Sequence, residues 1–312
     1  PEENEVLIKV EACGICHSDA FVKDGAFPGI EYPRVPGHEV VGIVEEVGAR
    51  VNNWKKGQRV GVGWHGGHCF ACEPCRRGDF ISCENAKISG ISYDGGYAEF
   101  MTAPQEAVAS IPEDLSSAEA APLLCAGITV FNALRNSGIT AGDTVAVQGI
   151  GGLGHLAIQY AAKMGMRTVA ISTSDSKKEL AEELGAHHFI NAKQKDAAKE
   201  LQNMGGAKLI LATAPNSEAI TSVIGGLGID GKLLMVAATG DPIEVSPMEL
   251  LMGRKSVAGW PSGTAMDSED TLKFSAMTGT KPKIEEFPLD KVSEAYDKME
   301  NNKARFRVVL KP

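Results

Sequence analysis

Four of the chain's seven cysteines stand at Cys69, Cys72, Cys75 and Cys83, a C-x2-C-x2-C-x7-C run. Four thiolates close a tetrahedron around Zn²⁺ and leave no position for water, which suits a structural site rather than a catalytic one. An iron–sulfur cluster takes the same four donors, but nothing else in the chain reads as an electron-transfer protein. Tight C-x-x-C steps in a chain of this length and Cys content favour metal over disulfides. The other cysteines, Cys13, Cys16 and Cys125, lie far apart, in Cys13-Gly14-Ile15-Cys16-His17-Ser18-Asp19 and Pro122-Leu123-Leu124-Cys125-Ala126-Gly127, and Gly37-His38-Glu39 supplies a further imidazole. Singly, each is ordinary, since a lone Cys is usually a buried small hydrophobe. Jointly they offer two thiolates and an imidazole. Such a Cys₂His set keeps a fourth zinc position open, where an alcohol loses its proton more readily and an aldehyde oxygen is polarised.

A second centre of chemistry is the glycine turn Gly149-Ile150-Gly151-Gly152-Leu153-Gly154, which fits G-x-G-x-x-G. Alone the pattern is weak. Here the strand-like Thr144-Val145-Ala146-Val147-Gln148 precedes it and a helix, Leu153 to Met164, follows. In that setting the first glycine permits the tight turn, the second lets backbone approach a pyrophosphate and the third lets helix and strand pack closely. The helix N-terminus then offers free N–H groups to the phosphates. At the end of the next strand a carboxylate normally holds the ribose of NAD. This chain instead has Ser172-Thr173-Ser174-Asp175-Ser176-Lys177-Lys178. Hydroxyls and a nearby lysine suit a 2′-phosphate, so the reading favours NADP, with Asp175 as the ribose partner in the NAD alternative.

These groups need a scaffold of two kinds. The first ~125 residues are rich in Gly, Pro and short β-prone runs such as Val40 to Val47 and Arg59 to Val62, which predicts an all-β region. From Thr144 the pattern alternates: strand 168–172, helix 176–184, a short strand near Phe189-Ile190, helix 194–203, strand 208–212, helix 216–226, strand 232–237 and a last strand near 256–259. Alternation of this kind predicts right-handed βαβ units on a parallel sheet. The final ~50 residues hold a predicted helix, Asp290 to Asn301, and a strand from Arg307 to Leu310. The expected architecture is an α/β domain at 127–262 inserted into a β-rich domain of 1–126 and 263–312. A chain of 312 residues with 43% hydrophobic and 23% charged residues is ordinary for a soluble two-domain protein. A net charge of −9 argues against a general nucleic-acid or anionic-membrane binder. No apolar run reaches transmembrane length and no leader is legible, so a cytoplasmic location is expected. Because Pro1 runs almost at once into the strand-like Val6 to Val10, the native start is expected to lie upstream of this numbering.

The ordered set of Cys16-His17-Ser18-Asp19, Gly37-His38-Glu39, the four-cysteine lobe, Asp94-Gly95-Gly96-Tyr97-Ala98-Glu99, Cys125 and Gly149 to Gly154 resembles the zinc-containing medium-chain alcohol dehydrogenases. Within them the chain is most similar to the cinnamyl-alcohol-dehydrogenase-like aldehyde reductases. The resemblance runs through essentially the whole chain. It implies a GroES-like catalytic domain carrying an inserted Rossmann domain, two Zn²⁺ per chain, and reversible hydride transfer between NADP(H), or alternatively NAD(H), and a primary alcohol or aldehyde. It implies that Cys16, His38 and Cys125 hold the catalytic zinc, with Glu39 behind the metal as an alternate ligand. Asp19 would orient His38, and Ser18 would meet the substrate oxygen and begin the proton relay. His17 and Arg307 would lie near the cofactor pyrophosphate, Thr129 against the nicotinamide, and Gly149, Gly151, Gly152, Leu153 and Gly154 under the phosphates. Ser172, Thr173, Ser174 and Lys177 would hold the 2′-phosphate, and Phe27 and Trp64 would line a pocket for a medium or bulky apolar alcohol. A homodimer or homotetramer is implied.

Two departures from the family stand out. Many members carry a relay His five residues after the first zinc cysteine, where this chain has Phe21; proton exit would then run through Ser18, the cofactor ribose and water. The resemblance also implies about two short N-terminal strands that this numbering does not contain, either absent, which would give the β-rich domain an open edge or altered fold, or merely omitted from the numbering. Rival readings are a polyol or formaldehyde-type zinc dehydrogenase, a quinone-reductase-like relative that has lost its zinc ligands, and a zinc ribbon for nucleic acid. All seven candidate ligands are present and the charge balance is acidic, which disfavours the last two.

Overall fold

A computed structural model describes residues 1–312 apart from Pro28. The chain divides into two units, Pro1–Ile128 with Ser262–Pro312, and Thr129–Pro261. In chain order the strands are β1 (Glu5–Ile15), β2 (Val40–Val47), β3 (Arg59–Val62), β4 (His65–Gly67), β5 (Lys87–Ile88), β6 (Phe100–Pro104) and β7 (Val108–Ser110). They continue with β8 (Thr144–Gln148), β9 (Arg167–Ser172), β10 (His188–Asn191), β11 (Ala207–Ala212), β12 (Leu227–Met235) and β13 (Ser256–Gly259), then β14 (Ile284–Pro288) and β15 (Arg307–Lys311).

The first unit is built on one sheet with order β14-β15-β1-β2-β3-β7, with β6 also paired to β1. Alternation along β1 puts Val6, Ile8 and Val10 into a core shared with Val40, Val44, Val60 and Val62. Branched side chains on pleated, half-buried strands pack well in this way. The register has a consequence for chemistry. Cys13 stands opposite both Val40 of β2 and Leu310 of β15, and Ile15 stands opposite Val308. The residues just past β1, just before β2 and at the start of β15 therefore gather at one end of the sheet: Cys16, His38 with Glu39, and Arg307. The backbone bond from Gly14 N to Glu39 O, 2.9 Å, closes that end.

The second unit is a parallel sheet ordered β10-β9-β8-β11-β12-β13. The chain runs outward from β8 in both directions, so the strand order reverses between β8 and β11, where open α/β sheets bind ligands. The glycine turn joins β8 to helix Gly154–Lys163 at this point. Gly149 has φ +96°, and a Cβ on Gly154 would sit 1.9 Å from Gly149 O. The Thr213 hydroxyl at the end of β11 donates within reach of both Gln148 O (2.9 Å) and Gly149 O (3.0 Å), which fixes the turn from beside it.

Two departures from the sequence expectations are informative. Helix Ala265–Thr278 occupies a segment assigned no element from the sequence. Its buried positions are Ser268, Thr271, Leu272 and Ser275. Thr271 and Ser275 turn their hydroxyls onto carbonyls of the same helix, Asp267 O and Thr271 O, at 2.7 Å each. A face buried largely through small hydroxyl residues leaves no apolar stripe to read. Helices Ala126–Asn136 and Pro247–Gly253 likewise went unassigned, and β12 begins at Leu227, five residues before the expected strand. No single helix among the described residues is long and apolar enough to cross a membrane.

The glycine turn makes a sharp prediction. Gly154→Ala forces a methyl group against backbone, whereas a Cβ at Gly151 meets nothing within 4 Å. Gly154→Ala should lose about 1–3 kcal/mol in urea unfolding, the range for overpacking, and Gly151→Ala should unfold like wild type. Equal midpoints for the two variants would refute the close approach.

Candidate metal centre

Among the described residues two groups of side chains bring metal-donor atoms together, Cys69, Cys72, Cys75 and Cys83, and Cys16, His38, Glu39 and Cys125; in each, the donor atoms lie within 4.8 Å of one another. In the second group Cys16 follows β1, His38 and Glu39 precede β2, and Cys125 stands between a turn at Ala121–Leu124 and helix Ala126–Asn136. Cys16 Sγ and Cys125 Sγ are 3.8 Å apart. His38 is 1% exposed, and its Nδ1 lies 3.1 Å from Asp19 Oδ1. Its other nitrogen, Nε2, is buried without a hydrogen-bond partner among the described residues. Buried polar atoms are rarely left so. A ring nitrogen oriented from behind by a carboxylate and bare on the side facing two thiols is what a metal requires.

Charge around this group is tightly arranged. The Asp19 carboxylate is buried, and its Oδ2 accepts from Cys16 N and from the Tyr97 hydroxyl, both at 2.8 Å. Glu39 is fully buried, ion-paired through Oε1 to Arg307 Nη2, with Oε2 unpartnered. Burial pushes the Glu39 carboxyl up from its ordinary range, while the adjacent Arg307 guanidinium pulls it back. The hydrogen bond with Cys125 lowers Cys16 well below the usual thiol range, with His38 adding to the effect, and the same bond raises Cys125. The thiolate is the form that ligates metal.

In the four-cysteine lobe, backbone amides point at the sulfurs: Cys69 N and Asn85 N at Cys83 Sγ (3.3 Å each) and Cys72 N at Cys69 Sγ (3.4 Å). The N–H groups of Ala71 and Cys72 bring the Cys69 thiol down to about 6. Between its ligands the lobe has one short helix, Glu73–Arg76, and Phe70 is 60% exposed. So little apolar burial leaves a metal to supply the cohesion.

The remaining candidates fall in several places. Trp64 stands edge-on to His38 with ring centroids 5.0 Å apart and so borders the metal group, and Phe27 lies edge-on to Trp64 at 6.3 Å, behind it. Ser18 Oγ is 3.7 Å from Cys16 Sγ. His17 is exposed at the start of helix Ser18–Lys23, and Phe21 is 39% exposed on it. Thr129 is buried in helix Ala126–Asn136. Arg307, read from the family as a pyrophosphate partner, is placed on Glu39. Ser172 ends β9 and is buried, while Thr173 and Ser174 are exposed. Ser174 caps the following turn by accepting from Ser176 N at 3.3 Å. Lys177 Nζ donates to Ile150 O at 2.7 Å, which ties this segment to the glycine turn. Asp175 accepts from Gln194 Nε2 at 2.6 Å. Neither Gln194 nor the Tyr97 hydroxyl was singled out from the sequence, because neither has a spacing that announces its partner.

Comparison with known proteins gives consistent neighbours. Residues 2–113 match the family model described as Alcohol dehydrogenase GroES-like domain, and residues 152–277 match Zinc-binding dehydrogenase. The alcohol dehydrogenase patD of Penicillium expansum is 48% identical over 310 residues, covering 99% of this chain and 91% of that protein. The solved cinnamyl alcohol dehydrogenase SbCAD4 from Sorghum bicolor superposes with a TM-score of 0.91 at 33% identity, covering 99% of this chain and 90% of that one. The cinnamyl alcohol dehydrogenase from Helicobacter pylori, solved in complex with NADP(H), does so with a TM-score of 0.88 at 29% identity, covering 99% and 91%.

The Glu39–Arg307 pair is open to direct measurement. Arg307→Met removes the countercharge from a fully buried carboxylate and should cost about 3–5 kcal/mol of stability, as broken buried pairs do. Arg307→Met combined with Glu39→Gln should recover most of that loss. A single Arg307→Met variant as stable as wild type in urea would show that the pair does not hold this end of the sheet.

Proposed function

The chain belongs to the zinc-dependent medium-chain alcohol dehydrogenases, close to the cinnamyl-alcohol-dehydrogenase-like reductases, and on that footing we propose that it moves hydride reversibly between NADP(H) and a primary alcohol or aldehyde at a zinc ion held by Cys16, His38 and Cys125. It is an alcohol/aldehyde oxidoreductase. The observation that carries the residue assignment is the convergence of these donors around a buried His38 Nε2 that has no protein partner among the described residues. A second, structural zinc in the lobe of Cys69, Cys72, Cys75 and Cys83 completes the reading.

When bound, zinc supplies a Lewis acid for the substrate oxygen and the dinucleotide supplies or accepts the hydride. The chain's own residues do the rest. Asp19 holds the His38 ring so that Nε2 faces the two sulfurs. Cys16 and Cys125 give the site two negative charges, which leaves little net charge to attract anions. In reduction Ser18 would give its hydroxyl proton to the substrate oxygen and be reprotonated from solvent; in oxidation the alcohol's proton would leave through Ser18, and with Phe21 in place of a relay imidazole the path to solvent would run through the cofactor ribose and water. Trp64 presents aromatic surface beside His38 and Phe27 extends it, which suits a medium or bulky apolar aldehyde. Glu39, with one free carboxylate oxygen, is the alternate ligand.

For the cofactor, Gly149, Gly151, Gly152, Leu153 and Gly154 form the phosphate turn, with Thr129 against the nicotinamide and His17 and Arg307 towards the pyrophosphate. Two observations favour NADP. The end of β9 is Ser172 rather than an acid, and the carboxylate three residues on, Asp175, is engaged by Gln194. Ser172, Thr173, Ser174 and Lys177 are the residues we assign to the 2′-phosphate. A cytoplasmic homodimer or homotetramer that binds neither nucleic acid nor membrane completes the proposal.

Two experiments test it. Cys125→Ala should lower zinc content from about two ions per chain to about one. Turnover should fall at least about a thousandfold, the kinetic equivalent of about 4 kcal/mol of lost charge stabilisation. Near-normal turnover, or two zinc ions retained, would sink the assignment. Wild type should also show higher kcat/KM with NADPH than with NADH against a panel of aliphatic and aromatic aldehydes. Ser172→Asp should reverse that order by repelling the phosphate and accepting from the ribose hydroxyls. A charge-assisted hydrogen bond contributes about 1.5–3 kcal/mol, so the swing should be about tenfold or more. A wild type that already prefers NADH would make Asp175 the ribose partner instead.

A further inference from the structure

The segment Asp94-Gly95-Gly96-Tyr97 is part of the pattern shared with the family. In the fold it is a strap over the loop that delivers His38. Asp94 Oδ1 accepts from Val35 N and from Arg34 Nη1, both at 3.0 Å. Gly95 N donates to Val35 O (2.8 Å), Gly96 N to Gly37 O (3.1 Å) and Tyr97 N to Pro36 O (3.1 Å). Gly37, directly before His38, has φ +111°, and a Cβ there would lie 2.7 Å from Tyr97 Cδ1. The Tyr97 ring therefore rests on the bare backbone of residue 37.

Beyond the ring, the Tyr97 hydroxyl donates to Asp19 Oδ2 at 2.8 Å, alongside Cys16 N, while Asp19 Oδ1 faces His38 Nδ1. A buried carboxylate with both oxygens committed has one orientation, and the imidazole bonded to it inherits that orientation. Without the tyrosine hydroxyl, Oδ2 keeps only the Cys16 amide, and the carboxylate gains freedom to rotate away from His38. Burial keeps the Tyr97 hydroxyl far above its ordinary range, so it remains a donor.

We propose that Tyr97 is a positioning residue for the catalytic metal, acting through Asp19 to set the His38 ring for ligation by Nε2. This rests on the assignment of Cys16, His38 and Cys125 as zinc ligands. It predicts a function for one hydroxyl that a packing role of the ring does not require. Tyr97→Phe keeps the ring on Gly37 and removes only the hydroxyl.

The test is the rate at which zinc passes from the loaded protein to an excess of a chromogenic chelator. Release from wild type should resolve into two phases, and the phase missing from Cys125→Ala identifies the catalytic ion. Tyr97→Phe should accelerate that phase about tenfold, the lower end of the effect of outer-shell partners on metal affinity, and leave the lobe phase unchanged. In an Asp19→Asn background the same substitution should add nothing, because residues acting in one chain of contacts are not additive. The d–d bands of cobalt at the catalytic site should also shift in Tyr97→Phe. An unchanged catalytic phase, equal acceleration of both phases, or full additivity with Asp19→Asn would each overturn the proposal while leaving the zinc assignment standing. A wild type that loads the lobe alone would overturn both.

Discussion

Antiparallel pairing of β1 with β2 and β15 places three distant stretches of chain at one end of a sheet. Cys13 pairs with Val40, and Ile15 pairs with Val308. That register sets Cys16 beyond the end of β1, His38 and Glu39 ahead of β2 and Arg307 at the head of β15. A one-residue slip would turn every side chain of β1 to the opposite face. Val6, Ile8 and Val10 would then leave the core they share with β2 and β3. The same apolar packing that holds the sheet therefore holds the metal donors in register.

Bringing charges into this place has electrostatic consequences. Asp19, His38, Glu39 and Arg307 are all at most 6% exposed. An isolated buried charge is costly, so each must be paired or hydrogen-bonded. Asp19 receives Cys16 N, Tyr97 OH and the His38 ring; Glu39 receives Arg307. Among the described residues, His38 Nε2, Glu39 Oε2 and Arg307 Nε stay without a hydrogen-bond partner, and the first two belong to metal-donor residues. The two open acceptor atoms, His38 Nε2 and Glu39 Oε2, both belong to residues whose donor atoms converge.

How much of this was legible in the sequence depended on how far apart the interacting residues lie. The four-cysteine lobe is local, so its spacing alone announces a metal. The glycine turn is also local, and its flanking strand and helix could be read from pattern. Cys16 and His38 come together through strand register and Cys125 through the packing of a turn and helix, and the sequence connects the three through family resemblance rather than spacing. Helix Ala265–Thr278 was missed because its buried face is mostly Ser and Thr, whose hydroxyls are satisfied on the helix itself. The Gln194–Asp175 and Tyr97–Asp19 bonds were beyond reach for a further reason: Gln and Tyr have ordinary surface and packing roles, and only coordinates reveal which polar atom meets which.

The two metal groups rest on opposite arrangements of stability. In the lobe, the donors come from one short segment with an exposed Phe70 and few buried apolar side chains, and backbone amides already point at the sulfurs. Order there must come largely from the metal, since conformational entropy is otherwise uncompensated. In the other group the sheet and its core hold the donors before any ion arrives, and the fixed groups act on the ion rather than the reverse. A catalytic metal needs that direction of control: its ligands must stay in place while the fourth position changes occupant during turnover. The paired sheet end and a fully engaged Asp19 would supply it to the proposed catalytic ion, whereas a loop organised by its own metal would have every position committed to structure.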